Sequence, residues 1–221
     1  MNLKIINSGS KGNCTLLKDI KGNEILLDCG LSYETIIKNI NYSKLNCIMV
    51  THAHADHIKS LPKFKKYCFE CYTPENIEDG KLIETNFWKI LPMKLIHNVT
   101  CFGFIIYSKI ENKKIVYMTD TTYIPKINWQ NIDCWIQDTN FSKEIVDNLL
   151  EQGKQVNIGY MNHCSVEKVA EYIKLNNFRP KNFVAFHLSN SQLITIDKIN
   201  EKLGPLVENL IISSPNTEIN F

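Results

Sequence analysis

The sequence of 221 residues has no long hydrophobic run and no strong excess of either charge. No stretch approaches the roughly 20 apolar residues that a transmembrane helix needs, and the N-terminus, MNLKIINSGSKGNC, lacks the apolar core of a signal peptide. The chain has 25 Lys and Arg against 23 Asp and Glu, so its net charge of +2 gives no argument for nucleic-acid binding. We therefore expect a cytoplasmic protein without a membrane segment.

The sequence also lacks a P-loop and a second C-x-x-C motif. Without a G-x-x-x-x-G-K-[ST] segment, binding of a nucleoside triphosphate in that way is not indicated. Cys68 and Cys71 form one C-x-x-C, but a structural zinc needs two more ligands, so we interpret this pair as a coincidence. The eight cysteines are scattered, several of them in apolar runs. Without a secretion signal, this predicts reduced, buried thiols rather than disulfides.

What is present is an ordinary globular composition, with 44% hydrophobic and 22% charged residues. The length suits one domain over residues 1–221. Apolar runs between turn residues predict strands at 3–6, 14–18, 24–30, 46–52, 87–92, 102–110, 114–120, 133–141, 182–187 and 209–213. Helical spacing and caps predict helices at 32–40, 56–67 with an interruption near Pro62, 142–153, 165–177 and around 196–203. Together they predict a layered α/β domain with mixed sheets.

Three of the six histidines lie in one short segment, VTHAHADHIKSLPKF. His52 and His54 are two residues apart, so an extended backbone presents both on one side as ligands for one metal ion. Asp56 and His57 follow where the chain turns into a helix, which can direct them to a second ion. Imidazole nitrogen with carboxylate oxygen suits Zn²⁺, with Mn²⁺ or Fe²⁺ as alternatives. The other interpretation is a solvated loop, against which the preceding strand and the added acid count.

The segment THAHADH resembles the H-x-H-x-D-H signature of the metallo-β-lactamase fold. That fold is an αβ/βα sandwich of two mixed β-sheets flanked by helices, with a two-metal site between the sheets. INSGSKGNCTLL and ILLDCG resemble its opening strands, and Asp28 falls where these proteins have a structural acid. Further along the chain, His97, Asp120 and His187 match the remaining ligand positions. The resemblance covers nearly the whole chain and implies a metal-dependent hydrolase.

The resemblance also implies a role for each matched side chain. The implied ligands are His52, His54 and His97 for one ion, Asp56, His57 and His187 for the other, and Asp120 for both. Two divalent ions, about 3.5–4 Å apart, would share a water, lower its pKa and supply hydroxide as the nucleophile. Because such a site needs no Ser or Cys nucleophile, nearby cysteines such as Cys29 and Cys164 need not be catalytic.

The sixth histidine, His163, narrows the reaction. The segment NHCSVEKVAEYIKLNNFRPKNFVAFHLS resembles the H-S-T…H-I-S arrangement of RNase Z-like phosphodiesterases, where a non-ligand histidine, steadied by an acid, protonates the leaving oxygen. The segment IQDTNF has Asp138 at the position of that acid. A carboxylate partner raises the imidazole pKa and fixes the tautomer, as a general acid requires. We therefore expect Asp56, His163 and Asp138 to be catalytic; a capping or core histidine is the alternative for His163.

Two groups of phosphodiesterases with this fold resemble the chain. WalJ-like nucleases resemble it at SGSKGNC, VTHAHADHIKSL, MTDTTYI and HLSN. However, the chain is short between His57 and His97, has Phe141 where those nucleases have a histidine, and lacks their basic, Trp-containing segment. Small phage-encoded relatives resemble it more closely, including anti-Pycsar phosphodiesterases that open cyclic mononucleotides such as cCMP and cUMP in immune evasion. We expect cyclic-nucleotide cleavage; the alternatives are a 5′–3′ exonuclease on DNA and a non-catalytic, nucleotide-sequestering protein.

Several residues beside the motifs are candidates for substrate contacts. Ser10 and Asn13 belong to the turn SGSKGN, and Tyr123 and Asn190 closely follow motif residues. The lysines of KFKKY are interpreted as a solvated helix face. The resemblance further implies a homodimer, located in the host cytoplasm if the chain is phage-encoded.

Overall fold

Two β-sheets face each other and carry helices on their outer faces. The structure is a computed structural model and describes residues 1–67, 69–189 and 192–221. Within these ranges, the first sheet contains, in spatial order, β13 (Thr217–Asn220), β1 (Asn2–Asn7), β2 (Cys14–Lys18), β3 (Glu24–Leu27), β4 (Leu45–Met49) and β5 (Cys71–Tyr72). The second contains β12 (Asn209–Ile212), β11 (Asn182–Phe186), β10 (Cys134–Asp138), β9 (Lys114–Met118), β8 (Cys101–Ser108), β7 (Trp88–Leu95) and β6 (Ile83–Glu84).

Both sheets are mixed. In the first sheet, β13, β1, β2 and β3 pair antiparallel, whereas β3, β4 and β5 pair parallel. In the second sheet, β6 to β9 pair antiparallel and β9 to β12 pair parallel. The helices are α1 (Tyr33–Ile37), α2 (Ala55–Ile58), α3 (Leu61–Lys66), α4 (Lys143–Glu151), α5 (Val166–Leu175) and α6 (Ile196–Leu203), with 3₁₀ helices at Ile158–Asn162 and Gly204–Leu206. The predicted architecture of two mixed sheets flanked by helices is confirmed.

Three apolar layers hold this sandwich together. Between the sheets, residues such as Leu3 and Ile5 of β1 pack in one cluster with Phe104 of β8. A second cluster fills the space between the second sheet and helices α5 and α6, with Trp135 at its centre. A third lies between the first sheet and helices α1 and α3. Since both faces of the central strands are covered, those strands are continuously apolar rather than alternating.

Several strands end earlier than predicted, and three of these ends lie just before a candidate site residue. The strands stop before Asp28, Asp120 and His187, whose φ angles are 58°, 50° and 53°. Every other non-glycine residue with a positive φ in the described ranges is an asparagine, a residue that tolerates this region well. In the described ranges, the residues with a strained backbone, apart from asparagines, therefore all lie at the candidate site.

The other differences from prediction have local causes. The break in the predicted helix 56–67 falls at residues 59–60 rather than at Pro62, which lies in the first turn of α3, where proline is tolerated. Ser142 and Ser165 cap α4 and α5 as expected from their sequence. The strand β13 was not predicted because TEIN has little apolar pattern; it pairs with β1 through the backbone. No helix in the described ranges is long and apolar enough to cross a membrane.

Candidate metal centre

The candidate site residues meet at one edge of the sandwich, where several strands end. The loop after β4 contributes His52 and His54, and α2 contributes Asp56 and His57. From the other sheet, His97 follows β7, Asp120 follows β9 and His187 follows β11. Because β9, β10 and β11 run parallel, their carboxyl ends reach the same edge. The local segment and the distant residues therefore face each other across the gap between the sheets.

Three histidines form the first group of ring nitrogens. His52 Nε2 lies 2.9 Å from His54 Nδ1, and His97 Nε2 lies 3.4 Å from the same atom. The Nδ1 atom of His97 faces the carbonyl oxygen of Asn162 at 3.3 Å. A proton on that Nδ1 leaves the lone pair on Nε2, which points into the group. These three side chains are able to bind one metal ion.

Asp120 connects this group to a second one. Its Oδ2 lies 3.3 Å from His57 Nε2 and its Oδ1 lies 3.4 Å from His187 Nε2. Asp120 also forms, with His52 and His57, a group of three side chains that could hold one metal ion. Asp56, His57 and His187 form another such group. Asp120 therefore lies next to possible ligand atoms of both groups.

An unsatisfied buried atom tests whether these residues fit a metal ion. His187 Nε2 is buried and has no hydrogen-bond partner among the described residues, a costly arrangement for a polar atom. It faces the carboxylate of Asp120 and belongs to two groups that could hold an ion. A metal ion at this position would satisfy the lone pair of the imidazole. The cluster is thus able to bind metal ions.

The electrostatics of the cluster favour a cation. Burial, with a smaller contribution from His57, lowers the pKa of His52 to about 2, so this imidazole is neutral at pH 7. Burial opposes a charge on His57, but Asp28 and Asp120 outweigh it and raise the pKa of His57 well above its ordinary value. Burial would raise the pKa of Asp120, but His187 and His57 hold it well below its usual range. The carboxylates therefore stabilise positive charge where a divalent ion would bind.

Asp28 supports the ligands from behind. It is fully buried and accepts hydrogen bonds from the Thr51 backbone at 2.8 Å, the Thr51 hydroxyl at 3.0 Å and the Tyr117 hydroxyl at 3.1 Å. His57 Nδ1 lies 2.9 Å from Asp28 Oδ2. Because Thr51 gives its proton to Asp28, its oxygen can accept from His52 Nδ1 at 3.0 Å. Both imidazoles are thereby oriented with Nε2 toward the metal position.

Gly30 allows the first strands to approach α2 closely. A Cβ atom on Gly30 would lie 1.6 Å from the carbonyl oxygen of Asp56, which also accepts a 2.7 Å hydrogen bond from the backbone of Asn13. No side chain fits in this space. The glycine therefore allows the turn at residues 8–13 to lie against Asp56 and His57.

His163 and Asp138 form a hydrogen-bonded pair beside the cluster. His163 Nδ1 lies 2.8 Å from Asp138 Oδ2 and 3.9 Å from Asp120 Oδ1. Asp138 is fully buried and accepts hydrogen bonds from the backbone of Thr121 and of Asn140, each at 3.1 Å. Burial opposes a charge on His163, but Asp138, with help from Asp120, raises its pKa above the ordinary value. An imidazole held in this way can carry a proton at Nε2 near neutral pH.

The predicted substrate contacts have different surroundings. Ser10 lines a cavity of about 300 Å³ together with His163 and His187. Asn13 is fully buried, and its amide nitrogen lies 2.8 Å from His57 Nε2 and 3.2 Å from Asp56 Oδ2, so it contacts the cluster itself. Tyr123 is exposed and lines a separate groove beside α5. Asn190 lies outside the described residues, as does Cys68 of the C-x-x-C motif.

Sequence reasoning missed two residues that support His187. Asn140 donates from its side chain to the carbonyl oxygen of His187 at 2.7 Å, and Ser8 accepts from the backbone of His187 at 2.9 Å. Both hold the strained backbone of His187 in place. Asn140 lies two residues after Asp138, so its position next to a candidate catalytic acid was the available signal. Ser8 lies in the turn that supplied Ser10 and Asn13.

Comparisons with known proteins agree with this geometry. Residues 8–72 match the sequence profile of the Metallo-beta-lactamase superfamily. Exodeoxyribonuclease WalJ of Streptococcus pneumoniae is 26% identical, over 86% of this chain and 82% of the relative. Ribonuclease Z of Agathobacter rectalis is 24% identical, over 49% of this chain and 47% of the relative. The solved structure of YhfI from Bacillus subtilis, a metallo-beta-lactamase fold protein, superposes with a TM-score of 0.74 at 16% identity, over 99% of this chain and 98% of that one.

Proposed function

We propose that this chain, a metal-dependent hydrolase of the metallo-β-lactamase fold, cleaves phosphodiester bonds with two divalent ions, most readily Zn²⁺. The observation that carries the proposal is the 2.8 Å pair of His163 and Asp138, which lies beside the histidine and aspartate cluster. Hydrolysis of a phosphodiester ends with an alkoxide leaving group, which needs a proton. Relatives of the chain that are named as nucleases support the same bond type.

The proposed ligands are the residues that form the cluster. His52, His54 and His97 would hold one ion, Asp56, His57 and His187 the other, and Asp120 both. Divalent ions there would supply Lewis acidity toward phosphate oxygens and lower the pKa of a water molecule. Asp56 contributes the carboxylate of the second group that is closest to solvent, since it is only partly buried.

His163 is the proposed proton donor. Its Nδ1 proton is held by Asp138, so the proton to be transferred is at Nε2. The two backbone donors to Asp138 fix the carboxylate, and Asp138 in turn fixes the imidazole ring. His163 also lines the cavity next to His187, so a leaving oxygen of a substrate in that cavity can reach it. On this proposal, His163 acts on the substrate, whereas Asp138 orients His163 and stabilises its charged form.

Within phosphodiesters, we propose a cyclic mononucleotide as the substrate. The cavity beside His163 has a volume of about 300 Å³, at the lower end of the range for small-molecule pockets. Its lining includes the polar side chains of Ser10, Asn140 and Asn157 and the ring of Tyr160, which suits one nucleoside. We expect the protein to serve immune evasion by a phage. It would cleave cCMP or cUMP in the host cell, and it would act as a homodimer.

A DNA exonuclease is the second candidate. It is favoured by the similarity to exodeoxyribonuclease WalJ, which extends over most of both chains. Against it stands the near-neutral charge of +2, since proteins that follow a single strand usually present a strongly basic groove.

Incubation of the metal-loaded protein with a panel of substrates would decide between these candidates. The panel comprises cyclic mononucleotides, cyclic dinucleotides and end-labelled single-stranded DNA, with His163→Ala as the matched control. We expect the unchanged protein to convert the cyclic mononucleotides to linear ones. Degradation of DNA from its ends without turnover of cyclic mononucleotides would favour the exonuclease. Tight retention of a nucleotide without any turnover would indicate a sequestering protein and contradict the proposed hydrolysis.

A further inference from the structure

A second groove lies directly beside the cavity of the candidate metal centre. It has a volume of about 330 Å³ and shares Leu188 and Ser189 with the cavity that contains His163 and His187. We call it the serine groove, after Ser8, Ser213 and Ser214 in its wall; Asn7 and Lys11 also line it. Its position means that a substrate with its scissile bond at the metal centre can extend into it.

The chemistry of the serine groove suits an anion. Among the described residues that line it there is one charged side chain, the exposed ammonium group of Lys11, and no carboxylate. Within the described part of the chain, Lys11 forms no ion pair. Its charge is therefore available to a ligand rather than neutralised by the protein.

A buried hydroxyl in the groove lacks a partner. Ser213 Oγ is shielded from solvent and makes no hydrogen bond with any described residue, whereas the backbone nitrogen of Ser213 donates to Ala185 at 3.0 Å. The neighbouring Ser214 hydroxyl is engaged with Thr217 at 2.9 Å. A hydroxyl without a hydrogen-bond partner costs free energy, and a ligand oxygen within reach would satisfy it.

Ser8 connects the serine groove with the metal centre. Its Oγ accepts the backbone N–H of His187, so the hydroxyl proton remains for donation to another acceptor. One wall of the groove therefore contacts a proposed metal ligand directly. An oxygen-rich anion in the groove would have Ser8, Ser213 and Lys11 as donors, a combination that suits phosphate.

The geometry points to a second phosphate subsite in the serine groove, which takes a phosphate next to the scissile one. Preferred substrates or products would then include dinucleotides and nucleoside bisphosphates as well as compounds with one phosphate. This inference rests on phosphodiester hydrolysis at the metal centre, but not on which phosphodiester is the natural substrate.

The test uses the metal-loaded protein, bis(p-nitrophenyl) phosphate as the substrate and two inhibitors. A nucleoside 3′,5′-bisphosphate should inhibit about tenfold more tightly than the corresponding 5′-monophosphate, because one more charge-assisted contact is made. Lys11→Ala and Ser213→Ala should each reduce this advantage and leave turnover of the substrate unchanged. Lys11→Arg should retain it. Lys21→Ala, at the turn that follows the far end of β2, is the matched control and should behave as the unchanged protein.

Two results would overturn the subsite: equal inhibition by the two compounds in the unchanged protein, or an advantage that survives both Lys11→Ala and Ser213→Ala. Failure of the proposed function looks different, since the protein would then hydrolyse neither bis(p-nitrophenyl) phosphate nor any other phosphodiester. In that case, calorimetric titration with the bisphosphate and the monophosphate decides the subsite independently, and equal affinities would exclude it.

Discussion

The two sides of the candidate metal centre are built in different ways. On one side, His52, His54, Asp56 and His57 come from six consecutive positions in a loop and a short helix. On the other, three residues lie at or just after the ends of three parallel strands and one directly follows a 3₁₀ helix: Asp120, Asp138, His187 and His163. We call the first the local side; it contributes four of the proposed metal ligands, each of them grouped with residues from elsewhere in the chain. The second, which we call the distributed side, exists only after the sheet has formed. It contributes Asp120 and His187 as further proposed ligands and the pair of His163 and Asp138, which is proposed to decide which bond is cleaved.

Asp120 lies on the distributed side but contacts both groups of ligands. Its removal should therefore have the largest effect on metal binding and turnover. We expect Asp120→Ala to lose bound metal and to reduce turnover of every phosphodiester by at least about 10³-fold, because two groups lose their common carboxylate. Metal content by elemental analysis and initial rates would measure this. The control is Asp197→Ala on the exposed surface of α6, and a full metal content in Asp120→Ala would contradict the bridging position.

His163→Ala should separate chemistry from metal binding. We expect turnover of substrates with alkoxide leaving groups to fall by about 10²- to 10⁴-fold, as for loss of a general acid, with metal content unchanged. A p-nitrophenolate leaving group needs no proton, so turnover of bis(p-nitrophenyl) phosphate should fall far less.

The opposite pattern is expected for His54→Ala, which should lower metal content and affect all substrates alike. If His163→Ala keeps full turnover on every phosphodiester, or loses its metal, the proposed role of His163 as a proton donor outside the metal-binding groups is wrong.

The difference between the two sides also explains what the sequence could predict. The local motif can be recognised in the sequence because the spacing of residues, along an extended strand and at the start of a helix, determines where their side chains point. The layered fold is visible because buried strands and amphipathic helices have distinct patterns. By contrast, the 2.8 Å contact between His163 and Asp138 depends on the neighbouring positions of β10 and the 3₁₀ helix. Only the resemblance to known phosphodiesterases indicated that pair.

Supporting contacts were less accessible from the sequence. Thr51 precedes the histidine motif and looks like an ordinary strand residue, yet its hydroxyl connects Asp28 with His52. The early ends of β3, β9 and β11 could not be predicted either, because the positive φ angles of Asp28, Asp120 and His187 are imposed by tertiary contacts. Local propensity favours continuing those strands.

Asp138→Asn tests whether His163 needs the negative charge of Asp138 or only a side chain of the same size. The amide preserves size but not the negative charge, so the pKa of His163 should fall toward its ordinary value or below, since Asp138 is the main group that raises it. We expect about 10²-fold slower cleavage of substrates with alkoxide leaving groups, and unchanged metal content. Nuclear magnetic resonance titration of the His163 ring would follow the pKa. An unchanged titration would show that Asp138 does not act through the charge of His163.

Asp28→Asn is the corresponding change behind the local side, and here the smallest effect on the reaction is expected. Asp28 contacts no substrate; it orients His57 and, through Thr51, His52. Loss of such a partner should weaken metal affinity by about 10- to 100-fold, and turnover should return at saturating metal. Tyr117→Phe, which removes one hydroxyl donor to Asp28, is the milder control. Competition with a chelator measures both, and a rate deficit that persists at saturating metal would show that Asp28 has a role beyond orienting the ligands.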